Sequence, residues 1–275
     1  MVPLEEQVKQ AQNGDRAALE QVVRATQDRI YGLALRMLWH PEDAKDATQE
    51  ILIRVITHLG SFRGESSFTT WVYRVAANTL LTIRKSRMEE AGLTFRAFEQ
   101  DLDEGVSDAQ VAVSPGLDEA LLLEEVKIGC TQAMLLCLDR PHRLAYILGE
   151  ILELESREAA KVIGISPAAF RKRLSRARAE VVSFMQRKCG LVNMRNACRC
   201  RRRVSQAIKL GRINPEHLLF ASDAQKARNF PEVLSKIRQL EGGQRAVALY
   251  RSHPDVTVPE DLVTMVKSLI NQLGT

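Results

Sequence analysis

The stretch Leu154–Arg178, LESREAAKVIGISPAAFRKRLSRAR, decides the fold. It reads as two short helices joined by a tight turn. Ser156 is placed to cap the first, its hydroxyl accepting a backbone N–H that otherwise lacks a partner. Ala159, Ala160, Val162 and Ile163 supply that helix's inner face. Gly164 can take the positive φ that ends a helix. Ile165 plugs the angle between the two helices. Ser166 caps the second, and Pro167 sits at its first position, where a missing N–H costs nothing. The second helix carries Arg171, Lys172, Arg173, Arg176 and Arg178. A helix fits the DNA major groove, and its cations meet phosphates and guanine edges. The spacing therefore predicts a helix-turn-helix with a basic recognition helix. A helical hairpin with a solvated basic face is the plainer alternative. Two caps, the glycine and the five cations carried by the second helix weigh for DNA binding.

The chain has 275 residues, enough for two or three domains. It is 45% hydrophobic and 27% charged, a globular composition, with only 5% aromatics. No sustained alternating pattern is present, so the expected class is all-α. The net charge of +5 suits a polyanionic partner. The first residues, MVPLEEQVKQ, lack the apolar segment of a signal peptide, and no apolar run approaches the ~18 residues of a membrane span. A cytoplasmic protein with no membrane partner is expected. Its five cysteines are then reduced, metal-bound or redox-active rather than disulfide-paired. No Gly-rich phosphate loop, paired acid/base motif or nucleophile with its base is visible, so no enzyme is expected and no catalytic residue is assigned.

Upstream, Asn13, Gly14 and Asp15 form a turn and cap. Leu19, Val22, Val23, Ile30, Leu33, Leu35 and Leu38 recur at helical spacing. His40-Pro41 breaks the pattern, and Pro41 starts the helix PEDAKDATQEILIRVITHL. Ala44, Ala47, Ile51, Val55 and Leu59 make its apolar stripe. Asp43, Asp46, Gln49 and Glu50 make a polar stripe that is either solvated or an interface. Next, in SFRGESSFTTWVYRVAANTLLTIRKSR, Gly64 marks a turn and Ser66 or Ser67 caps. Trp71, Tyr73, Arg74, Asn78, Lys85 and Arg87 interleave rings with cations, as single-stranded DNA binding requires. Phe68, Trp71 and Val75 fall at i, i+3 and i+7, which is equally a core stripe. Core is the better reading for Phe68 and Val75, while Trp71 stays open.

DAKDATQEILIRV, then FRGESSFTTWVYRVAAN, then a helix-turn-helix ending RKRLSRARAEV resemble the bacterial sigma-70 family. The similarity is to the small extracytoplasmic-function (group 4) sigma factors, which keep only the domains called region 2 and region 4. The resemblance implies a fold of two sigma-type helical domains joined by a flexible linker. It implies an alternative initiation factor that joins core RNA polymerase, through the β′ clamp and β flap, and melts promoter DNA. Asp46, Gln49 and Glu50 fall on the face that docks on the clamp, with Asp43 beside them. Arg63, Trp71, Tyr73, Arg74, Asn78, Lys85 and Arg87 fall on the segment that captures the −10 element. Ser166, Ala168, Arg171, Lys172, Ser175 and Arg176 would face the −35 element. An anti-sigma protein is a further expected partner. The alternatives are a stand-alone DNA-binding regulator and a metal or thiol sensor built on a sigma-like body.

Four intervals follow: region 2 at 1–88, an acidic linker at 89–118, region 4 at 119–188, and a helical extension at 189–275. The linker shows no clean period and has Arg96 as its one cation, so it reads as a flexible connector. In region 4, Asp118 or Glu119 opens a helix. Cys130 and Cys137 are two turns apart on it, where core packing is the better reading over a ligand role. Pro141 interrupts before Leu144, Ile147, Leu148, Ile151 and Leu152. No cofactor is required. The segment CGLVNMRNACRCRRRV, however, holds Cys189, Cys198 and Cys200, which with His217 could seat zinc or another thiophilic metal. Redox-sensitive thiols and plain packing stay open. Arg199, Arg201, Arg202 and Arg203 would lower thiol pKa, contact phosphate or be solvated. Some members of the family carry cysteine-containing tails that sense metals. Further helices are expected to open at Asn214-Pro215, Pro231 and Pro259, and the extension is expected to regulate the sigma body in cis.

Overall fold

The computed structural model describes residues 3–105 and 118–272. In chain order its helices are α1 (Leu4–Gln12), α2 (Arg16–Leu38), α3 (Pro41–Thr57), α4 (Phe68–Thr82), α5 (Arg87–Glu90), α6 (Phe95–Glu104), α7 (Glu119–Leu136), α8 (Arg140–Tyr146), α9 (Ser156–Ile163), α10 (Pro167–Lys188), α11 (Cys200–Lys209), α12 (Ala224–Gln239), α13 (Gly242–Arg251) and α14 (Glu260–Gln272). A 3-10 turn at Leu59–Ser61 and a π-helical turn at Ile147–Ile151 complete the helical elements. Among the described residues, extended pairing is limited to the isolated bridges Cys189–Cys198 and Asn214–His217. The fold is all-α, as expected. Among the described residues, no helix is long and apolar enough to cross a membrane.

The chain divides into two compact units, each assembled from separate stretches. One comprises Met1–Ala91, Arg140–Leu174 and Asp255–Thr275, and the other Gly92–Asp139 and Ser175–Pro254. These are not the four sequence intervals. The apolar faces that decide packing belong to segments far apart in the chain.

In the first unit, α2, α3 and α4 enclose a core that includes Val22, Ile30, Leu33, Ile51, Leu52, Phe68 and Leu80. Local chemistry sets the helix starts. Asp15 accepts the Ala18 N–H at 3.1 Å to cap α2. His40 Nδ1 accepts the Asp43 N–H at 3.3 Å ahead of Pro41. Ser67, of the two serines proposed, caps α4 by accepting the Thr70 N–H at 3.1 Å. Ser86 and Glu89 form a reciprocal capping box at α5. The π turn contains Gly149, where α10 comes close. A Cβ at Gly149 would lie 2.6 Å from Leu174 Cδ2 and 3.3 Å from Phe170 Cζ. The glycine thus admits the fully buried Phe170 of α10.

The second unit corrects several expectations. The connector reading fails at Phe95–Glu104, which is α6. Phe95, Phe98 and Leu102 stand at i, i+3 and i+7, and Phe98 and Leu102 are buried. Phe98 stacks on Phe184 at 5.5 Å between centroids. Residues 106–117 of that interval lie outside the described residues. No helix opens at Asn214-Pro215. The Glu125 carboxylate instead takes the backbone N–H groups of Leu219, Phe220 and Ala221 at 3.0, 3.0 and 2.7 Å, holding that segment irregular. Pro231 opens nothing either, because it lies inside α12, which starts after the cap Asp223. Only Pro259 stands where a helix begins, its carbonyl accepting from Leu262 N at 3.1 Å. Leu122 and Val126 of α7 pack with Val204, Ala207 and Ile213. The Tyr250 hydroxyl donates to Thr131 O at 2.9 Å. The expected first helix of region 4 is therefore wrapped by the extension.

Candidate nucleic-acid interface

On α3, Ala44, Ala47, Ile51 and Val55 are buried, which turns the polar stripe outward. Asp46 is exposed, while Asp43, Gln49 and Glu50 are half-buried. Steps of three and four residues bring these side chains onto one face. Glu50 accepts from Arg54 Nη2 at 2.7 Å, an exposed i, i+4 pair. Beside this face lies α14, whose Leu262 and Val266 are buried. Asp261 pairs with Lys45, and the Val258 N–H donates to Asp28 Oδ1 at 2.9 Å. Lys45 sits one turn before Gln49, so the C-terminal helix borders the acidic face.

On α4, Trp71 is half-buried and Arg74 and Asn78 are exposed. Trp71 stacks on Phe68 at 5.6 Å and tilts against Phe62 at 5.7 Å. Its ring is thus propped by core aromatics yet accessible. Arg63, Trp71 and Arg74 line an open groove of about 650 Å³, and its other wall is Ala160, Lys161, Gly164 and Ile165 of the helix-turn-helix. The Thr70 hydroxyl donates to Glu158 Oε1, joining α4 to α9. Tyr73 departs from the expectation. It is 4% exposed, and burial raises the pKa of its phenol against the opposing pull of Arg29. It belongs to the core because it follows buried Val72 on the inward face. Lys85 is exposed beyond α4. The Arg87 side chain lies outside the described residues.

The helix-turn-helix has the expected turn with one shift. Glu155, not Ser156, is the residue before α9, and no side chain caps it. Gly164 takes φ +74° and ends α9. Ser166 Oγ accepts the Ala169 N–H at 3.2 Å at the start of α10. Phe170, Leu174 and Ala177 are buried, so Ser166, Ala168, Arg171, Lys172, Ser175 and Arg176 are all exposed.

Glu89 is a determinant that the sequence pattern did not reveal. Arg140 grips it twice, Nη2 to Oε2 at 2.6 Å and Nε to Oε1 at 2.9 Å. Arg143 adds Nη1 to Oε1 at 2.9 Å and also donates to Met37 O. Burial alone would raise the pKa of this carboxyl. Arg140, the Ser86 N–H and Arg143 outweigh it and hold the group at about 2. The capping-box spacing Ser86-x-x-Glu89 was the available signal.

The cysteines regroup. Cys189, Cys198 and Cys200 line one cavity with Cys130. His217, exposed at its own turn, does not line it. The thiols are not activated by their arginines. Burial and neighbouring thiols push Cys130 up to about 12 and Cys198 up to about 11. Arg203 is neither solvated nor free for phosphate: it is buried and paired with Asp101 at 2.7 Å.

Known proteins supply the context for this geometry. Sigma-70 region 2 matches residues 22–89, and sigma-70 region 4 matches residues 128–181. The RNA polymerase sigma-H factor of Pseudomonas aeruginosa is 31% identical over 182 residues, covering 65% of this chain and 92% of that protein. The ECF RNA polymerase sigma factor SigW of Bacillus subtilis is 29% identical over 185 residues, covering 64% and 92%. The solved structure of CnrH in complex with the cytosolic domain of CnrY matches at 21% identity and a TM-score of 0.46, over 66% of this chain and 95% of that one.

Proposed function

The chain belongs to the sigma-70 family of RNA polymerase sigma factors, in its extracytoplasmic-function branch, and from that premise we propose how its surfaces divide the work of initiation. It is an alternative sigma factor that directs core polymerase to promoters. The acidic face of α3, with Asp43, Asp46, Gln49 and Glu50, docks on the β′ clamp, and the helix-turn-helix unit meets the β flap. Arg63, Trp71, Arg74 and Asn78 take the −10 strand, with Trp71 stacking on an exposed base and the cations tracking phosphate. Lys85 and Arg87 extend that track. Ser166, Ala168, Arg171, Lys172, Ser175 and Arg176 read the −35 duplex in its major groove. The chain works by binding energy rather than catalysis, in the bacterial cytoplasm, with an anti-sigma protein as a further partner. The single observation that carries this reading is the ring-propped, half-exposed Trp71 flanked by Arg63 and Arg74.

The extension acts in cis. The two promoter elements are separated by roughly 25 base pairs, or about 85 Å at 3.4 Å per pair. A chain in which Thr70 bonds Glu158 cannot span that distance with α4 and α10 at once. The arrangement described is therefore a resting form, and α14 beside the clamp-docking face supports the same reading. Gel-shift and run-off assays of the full chain and of a chain ending at Pro254 test it. Cis-inhibition requires faster initiation from the shorter chain, and equal rates refute it.

A further inference from the structure

Four of the five cysteines line one cavity although three separate segments supply them. Cys130 comes from α7, Cys189 from the end of α10, and Cys198 and Cys200 from the turn into α11. The cavity they line measures about 30 Å³, about two to three times the ~10–15 Å³ that one water needs. It is the size of an ion, not of an organic ligand.

The segment 189–200 is built to hold its thiols in place. Cys189 and Cys198 pair through a backbone bridge, and the Gly190 N–H donates to Cys198 O at 3.1 Å. A Cβ at Gly190 would stand 2.1 Å from that same oxygen, so only glycine lets the two arms close. Asn193 and Asn196 side chains both donate to Gln186 O at 3.0 Å, and Arg199 donates to Cys198 O at 2.9 Å. Lys127, Arg199 and Arg203 line the same cavity. Lys127 and Arg203 are paired there with Glu124 and Asp101, at 2.7 Å each, so Arg199 is the lining cation left nearest the charge of −2 that four thiolates around a divalent ion carry.

We propose that Cys130, Cys189, Cys198 and Cys200 form a closed tetrathiolate site for a thiophilic divalent cation, zinc by preference, that clasps the C-terminal extension to α7. Four thiols release four protons to solvent as four metal–sulfur bonds form, with no change of oxidation state. Among the described residues no three His, Cys, Asp or Glu groups already stand gathered to hold a metal. The thiols therefore turn inward about their Cα–Cβ bonds as the ion enters. The earlier ligand set is revised by one member, with Cys130 replacing His217. The proton release makes affinity rise with pH.

Cobalt is the probe. The untagged, reduced full chain is titrated with Co²⁺ and then with competing Zn²⁺. The expected result is the intense visible absorption of tetrahedral thiolate cobalt, saturating at one ion per chain and bleached by zinc. Cys130→Ser should weaken binding by at least about 10-fold, while His217→Ala and Cys137→Ser leave it unchanged. Cys198→Ser, which lies outside the α7 core, repeats the test should the Cys130 variant lose helicity. Absence of thiolate bands, or binding unaffected by both cysteine variants, overturns the proposal. So does loss on His217→Ala. None of these readouts involves promoter or polymerase, so they stand or fall separately from the sigma function.

Discussion

Thr70 of α4 donates its hydroxyl to the carboxylate of Glu158 on α9. One residue lies on the helix assigned to the −10 strand, the other on the supporting helix of the −35 reader. A hydrogen bond to a charged group contributes about 1.5–3 kcal/mol. Glu158→Ala should therefore shift the balance toward the extended form and raise promoter affinity by roughly 10-fold. Gel shift with holoenzyme checks this, and unaltered affinity would show that the contact does not gate DNA binding.

Trp71 and Phe68 are stacked neighbours with different exposure, and they separate function from stability. Trp71→Ala should lower open-complex formation by about 1–3 kcal/mol, the value of one base–ring stack, with little change in Tm. Phe68 is fully buried, so Phe68→Ala should cost about 3–5 kcal/mol of folding stability. Permanganate footprinting of the melted strand reads the first, and thermal unfolding the second.

The Glu89 carboxylate gives the first unit an acid limit. Its pKa lies at about 2 against the ordinary 4.5. A depressed carboxylate pKa stabilises the fold above the unfolded value, and that stabilisation is lost as pH falls from 4.5 through 2. The contribution at neutral pH is on the order of 3 kcal/mol. Glu89→Gln should remove it and flatten the loss of Tm between those limits. A wild-type-like acid profile in the variant would place the sensitivity elsewhere.

Asp261 pairs with Lys45 next to the clamp-docking face. Asp261→Lys should turn the exposed pair repulsive, release α14 and strengthen core polymerase binding several-fold. Fluorescence anisotropy of labelled protein with core enzyme measures this.

The sequence carried the parts of the fold whose signal is local. Asp15, Ser67, Gly164, Ser166 and Pro167 announce helix ends because caps and positive φ need particular side chains. The basic face of α10 was legible for the same reason. What was not legible depends on distant partners. Phe95, Phe98 and Leu102 hid within an acidic segment until Phe184 gave them something to cover. Glu125 looks like any surface glutamate until the backbone of Leu219–Ala221 folds onto it. Tyr73 follows the alternation of ring and cation in sequence, yet helix rotation sends it inward. Cys130 joined the tail cysteines only because α7 and the extension share a core.

The direct test of sigma activity is run-off transcription with bacterial core polymerase on DNA from upstream of this gene's own operon. The full chain is compared with Asp46→Arg and Arg171→Glu variants. A specific transcript is expected from the full chain, lost in Asp46→Arg along with core binding. In Arg171→Glu the transcript is lost while core binding persists. Tight operator binding by the chain alone, with no transcript under any condition, would contradict it.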